Sequence, residues 1–150
     1  MSLTDDKIRA ILIVEVLGKP PEHLKNTLGK IAEAIGSEKD VEVKEKKINE
    51  PIEMANKKGY YTSFAEIEVE TKAVIQLIMI MFKYMPAHIE LLSPENLKLS
   101  NNELGELFNE VGRRLHGYDE IARVIQLEKN ILEKKLKELL ENKKESKPKK

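Results

Sequence analysis

His23, His88 and His116 are the only imidazoles in the chain, and there is no cysteine. None of the three stands in an HExxH or any other spacing that gathers metal ligands, so no metal site is expected. His88 and Glu90 share one face of an extended segment, which reads as a solvated strand end. Glu103, Glu106 and Glu110 fall on one helical face, but Glu110 stands four residues before Arg114, the spacing of an ion pair. No GxGxxG, P-loop or GxSxG is present. The expectation is therefore no catalytic residue, no cofactor and a non-enzymatic role.

A second chemistry is phosphate contact. Arg113, Arg114, His116 and Arg123 surround Gly117, and the chain ends in Lys147-Pro148-Lys149-Lys150. Such groups could meet an RNA backbone. Against this, 26 basic side chains are balanced by 26 acidic ones, whereas nucleic-acid binders usually carry a basic excess. Glu66, Glu68 and Glu70 would repel phosphates, and Phe64 alone is no stacking platform. Nucleic-acid or ribosome association is the alternative, not the leading reading.

The 150 residues are 41% hydrophobic and 35% charged. One domain plus an extension fits that length, with roughly 70% of the unfolded surface available for burial. The longest apolar run, Ala73 to Phe82, falls well short of the ~20 residues that span a bilayer. The N-terminal residues lack the basic and apolar regions of a signal peptide. A cytoplasmic protein is expected, with no membrane partner.

The elements that must position these groups follow from periodicity. Ile8 to Leu17 is β-branched and stops at Gly18, a strand. After Lys19-Pro20-Pro21, the spacing of Leu24, Leu28, Ile31 and Ile35 predicts a helix, with Gly36 as its stop. Residues 41–48 and 61–70 alternate apolar and charged, two strands solvated on one side. Antiparallel pairing should bring Lys44 and Lys46 near Glu66 and Glu68. Ala73 to Met85, with three methionines and no turn residue, predicts a helix ending before Pro86. His88 to Leu92 predicts a last strand. The order β-α-β-β-α-β over residues 7–99 predicts an α+β, ferredoxin-like sandwich with sheet order 4-1-3-2.

Ser100-Asn101-Asn102-Glu103 fits a capping box. One stripe then runs through Leu104, Phe108, Val111, Leu115, Tyr118, Ala122, Ile125, Lys129, Leu132, Leu136 and Leu139. Its steps alternate four and three over five heptads, and Lys129 is the one break. That regularity predicts a coiled-coil-like helical arm over residues 100–142. Gly112 and Gly117 weaken it, and a helix-turn-helix at His116-Gly117 also satisfies the sequence, with Asp119 as cap. The unbroken phase favours a single bent helix. Residues 143–150 are expected to be a disordered basic tail.

Strand one is apolar on both faces, so Ile11 and Ile13 should point away from the helices. The second helix is apolar nearly all round, as expected of a helix buried on both sides. One arm cannot easily cover both surfaces. A second copy of the chain should therefore cover one, giving a homodimer. The expected interface comprises Ile11, Ile13, Leu104, Phe108, Val111, Leu115, Tyr118, Ile125, Leu132 and Leu136. The leading expectation is a dimeric regulatory or assembly module that binds itself or a protein partner.

Val14 to Leu24 resembles the first strand, turn and helix start of ACT domains, small β-α-β-β-α-β regulatory modules. Gly18, Lys19, Pro20 and Leu24 fit that family's turn, while Pro21 stands where the family has glycine. The resemblance implies an amino-acid sensor at a dimer interface, with Gly18, Lys19, Pro20, Pro21 and Glu22 as ligand contacts. Independently, a helix N-terminus behind a lysine could hold an anion. The whole chain also looks like small archaeal proteins of similar length.

Overall fold

A computed structural model describes residues 6–148. Strand β1 (Ile8–Gly18) leads into helix α1 (Pro21–Gly36), strand β2 (Val41–Ile48), the short strand β3 (Ile52–Glu53) and strand β4 (Tyr61–Thr71). Helix α2 (Val74–Tyr84), strand β5 (His88–Ser93) and the long helix α3 (Asn101–Glu145) complete the chain. It divides into two compact units between Leu107 and Phe108.

The first unit is α+β. Its sheet is antiparallel in the order β2-β4-β1-β5, and β3 pairs with the start of β4. This is roughly the ferredoxin-like order, with β3 added in what the sequence presents as a plain hairpin connection. Asn49 anchors that connection: its N–H donates to the Phe64 carbonyl at 3.0 Å, and its carbonyl accepts from the buried Ser63 Oγ at 2.7 Å.

Alternation decides which face of the sheet is dry. Ala10, Leu12 and Val14 of β1 and Ala65, Ile67 and Val69 of β4 point to one side and are buried. Leu28, Ala32 and Ile35 of α1 and Leu77 and Ile80 of α2 close over them in one core. Burial of each Leu or Ile contributes roughly 1.5–3 kcal/mol. Helix α1 begins as its prolines require: Pro20 is extended at the N-cap and Pro21 opens the helix, where a missing N–H costs nothing. Helix α1 ends at Gly36, where Val43 Cγ2 would sit only 3.4 Å from an added Cβ. The turn beyond is closed by Ser37, whose Oγ donates to the Ala34 carbonyl at 2.7 Å.

Two expectations change here. A bulge between Val43 and Glu45 alters the pairing of β2. Lys44 therefore meets Glu70, at 3.8 Å, and Lys46 stands opposite Ile67 rather than a glutamate. Second, α2 is not buried on both sides. Only Leu77 and Ile80 are inside, and Met79 and Met81 are exposed.

In α3 the capping box is present. Glu103 N–H donates to Ser100 Oγ at 3.1 Å, and Ser100 N–H donates to the Glu103 carboxylate at 2.7 Å. The Ser100 backbone N–H holds that carboxyl below its ordinary range. Helix α3 is one element through Gly112 and Gly117, with no break at His116-Gly117. It also runs three residues past the expected boundary at 142, because Lys143, Lys144 and Glu145 keep helical backbone. Lys149 and Lys150, the end of the expected disordered tail, lie outside the described residues.

Candidate interaction surfaces

Among the described residues, more than half of the exposed large hydrophobic side chains lie on the arm. Phe108, Leu115, Tyr118, Ile125, Leu132 and Leu136 are exposed, Leu132 at 66%. Leu104 is exposed as well, and Val111 is half-buried. Beyond the stripe, Ile121, Val124, Leu127 and Ile131 are also open, so the arm is apolar on more than one side. A depression of about 340 Å³ runs along the stripe between Ile125 and Leu136, with Lys129 and Glu133 in its lining. The arm's own ion pairs, Asp119 with Arg123 at 2.9 Å and Lys129 with Glu133 at 3.9 Å, follow the i, i+4 rule.

The second surface is the open face of the sheet. Ile11 and Ile13 point away from the core and are half-buried by their neighbours. Ile13 stands between Glu66 and His88, and Ile11 between Glu68 and Glu90. Thus His88 and Glu90 do share a face, and it is this one. Phe64, opposite Glu15, is 38% exposed. Arg9 donates to Glu68 at 2.6 Å, and Lys7 pairs with Glu70 at 3.1 Å. The Lys7 ammonium holds the Glu70 carboxyl low, and Glu70 in turn holds Lys7 high.

A third surface is the outer side of α2 with the strand ends beside it. Met79 and Met81 are exposed on α2, and the exposed Met85 and Leu17 line one depression at the end of β1. Met85 takes φ +46 where the helix closes. This surface is legible only once the helix is placed, since the sequence makes all its sides alike.

The turn after β1 holds its lysine in place. Lys19 Nζ lies 4.8 Å from the centroid of Tyr60, which Lys57 also approaches, at 4.1 Å. Each cation gains roughly 0.5–1 kcal/mol from such a contact at an exposed site. The Pro20 carbonyl accepts from His23 N–H at 3.1 Å, and Glu22 sits in the first turn of α1. Gly18, Lys19, Pro20, Pro21 and Glu22 are thus brought together, but by the turn itself.

The three arginines are engaged. Arg113 and Arg114 both donate to Glu110, at 2.6 Å and 2.9 Å, and hold its carboxyl low. Arg123 pairs with Asp119. Each of these arginines has a carboxylate partner within its own helix, Arg113 and Arg114 sharing Glu110.

Comparison with known families gives one match, over residues 9–146. The chain belongs to the MJ0538 family. The match takes in the sheet and the arm alike. No curated protein and no solved structure matches the chain. Among the described residues, no group of three or more His, Asp or Glu side chains could hold a metal ion. No described helix is long and apolar enough to cross a membrane.

One feature of the surfaces escapes a total charge count. Residues 1–107 hold 14 Lys and Arg against 18 Asp and Glu, and residues 108–150 hold 12 against 8. The zero net charge is an acidic body and a basic arm that cancel. The signal was present in the sequence, in the lysine density after Lys129.

Proposed function

We propose that the chain is a non-enzymatic, self-associating module, regulatory or assembly in role, that pairs through its helical arm and the exposed apolar faces of its sheet and second helix. The exposed stripe from Leu104 to Leu139 carries this reading. An apolar repeat alternating four and three residues matches the face of another helix of the same kind. Covering each such leucine recovers roughly 1.5–3 kcal/mol that water otherwise withholds. Lys129, the single polar residue on the stripe, is the kind of seam position that selects register and partner number at a cost in stability. A ferredoxin-like sheet with a second copy on its open face suits the same reading.

Light scattering on the full chain at micromolar concentration tests it. The expected result is a dimer for the natural sequence and a monomer for Leu115→Glu and Ile125→Glu, with the melting of the sheet domain unchanged. A natural-sequence chain that stays monomeric overturns the proposal.

Amino-acid sensing of ACT type has less support. Lys19 lies against Tyr60, and the Pro20 carbonyl is taken by His23 N–H. RNA or ribosome association has less again, given the pairing of Arg113, Arg114 and Arg123.

A further inference from the structure

Beyond Lys129, helix α3 turns most of its carboxylates away from its leucines. At about 100° per residue, Leu132, Leu136, Leu139 and Leu140 fall on one side. Lys129 and Lys143 lie on that same side, and Lys135 and Lys144 border it. Glu138, Glu141 and Glu145 fall on the opposite side, with Lys134 and Lys137 among them. The one carboxylate among the leucines, Glu133, is within 3.9 Å of Lys129. The apolar face of this stretch is therefore cationic. Pairing this stretch of the stripe with itself brings lysines together at a cost in stability, so an acidic partner suits it better.

A face that takes it must be apolar at its centre and acidic around it. The open side of the sheet has that composition. Ile11, Ile13 and Phe64 form the centre, and Glu66 and Glu90 flank it in register. Among the described residues, neither glutamate has an ion-pair partner, unlike Glu68 and Glu70. A depression of about 190 Å³ opens beside Ile11, lined by Glu45, Lys47, Glu66 and Glu68, with room for an aliphatic side chain. Opposite charges that meet around an apolar centre give orientation and speed to docking as well as affinity.

We propose that the open sheet face docks the cationic leucine face of residues 129–145 from a second copy of this chain. The proposal rests on self-association and names what one of its contacts is. It is heterologous in chemistry, arm on sheet, and two copies can exchange it reciprocally under a twofold axis.

A charge swap in the full chain tests it. One variant carries Glu66→Lys and Glu90→Lys; the other carries Lys135→Glu and Lys143→Glu. Circular dichroism melts establish that both fold. Each variant alone should dissociate at least about tenfold more readily than the natural sequence, the size of one lost charge pair at a partly desolvated interface. An equimolar mixture should recover the natural affinity, because each mutant sheet then meets a mutant arm. Rising salt should weaken the natural dimer. If both variants dimerise as tightly as the natural chain, or the mixture recovers nothing, the docking proposal is overturned while self-association stands. If the natural chain is monomeric, both fall. A monomer whose arm instead binds vesicles of anionic lipid, and loses them with Lys135→Glu and Lys143→Glu, also overturns it.

Discussion

Glu38, in the turn after α1, accepts a hydrogen bond from Tyr84 Oη at the last residue of α2. Lys83 Nζ donates to the same carboxylate oxygen. The contact joins the ends of the two helices that cover the sheet, 46 residues apart in sequence. It fixes the close of α2, the segment whose outer side is otherwise bare.

The direction of the titration follows from this cluster. Lys83 first, and Tyr84 second, hold the Glu38 carboxyl below its ordinary range. Its folded state therefore binds the proton less readily than the unfolded chain. The stability it contributes is complete above the ordinary carboxylate range and is lost as pH falls through the folded value. Burial, and then Glu38, push the Tyr84 hydroxyl up, so it stays protonated at neutral pH. Urea unfolding should show Glu38→Gln losing less stability than the natural chain between neutral and acidic pH. Tyr84→Phe should cost about 1 kcal/mol at neutral pH. Equal acid losses in the two chains would remove the assigned role.

The arm's glycines offer the opposite test. An added Cβ at Gly117 meets nothing within 4 Å, and the residue lies inside a helix. Gly117→Ala should stabilise the helix by about 0.5–1 kcal/mol, read as a higher melting temperature at a helix-sensitive wavelength. Gly36→Ala should gain much less, since its Cβ would press on Val43.

Neighbouring residues of β1 should respond differently. Leu12 is fully buried, and Leu12→Ala should cost about 2–5 kcal/mol through lost burial and a cavity. Ile11 faces the open side, so Ile11→Ala should cost the fold less and should instead weaken association. Paired urea titrations and light scattering separate the two. Equal destabilisation by both would mean that the open face is as tightly packed as the core.

Ligand binding at the Gly18 turn can be tested directly. A thermal-shift series with the amino acids should raise the melting temperature for none of them, because Lys19 is already placed over Tyr60. Labelled RNA at low ionic strength should show no shift that depends on Arg113, Arg114 or Arg123, since these are paired within the arm. A saturable rise with one amino acid, or a salt-sensitive RNA shift, would reverse the order of the readings.

Local periodicity determined much of this chain without reference to tertiary contacts. Alternation in residues 61–70, prolines at the start of α1, and the steps of four and three in the arm each reflect the geometry of one element. Ser100 and Glu103 form their reciprocal cap for the same reason, both partners being within one turn. Tertiary structure decided what depends on neighbours distant in sequence. The bulge at Val43 moved Lys44 to Glu70, and α2 buried Leu77 and Ile80 while leaving Met79 and Met81 outside. A strand's register and a uniformly apolar helix's rotation are set by the surfaces they meet, and those surfaces are assembled only when the chain folds.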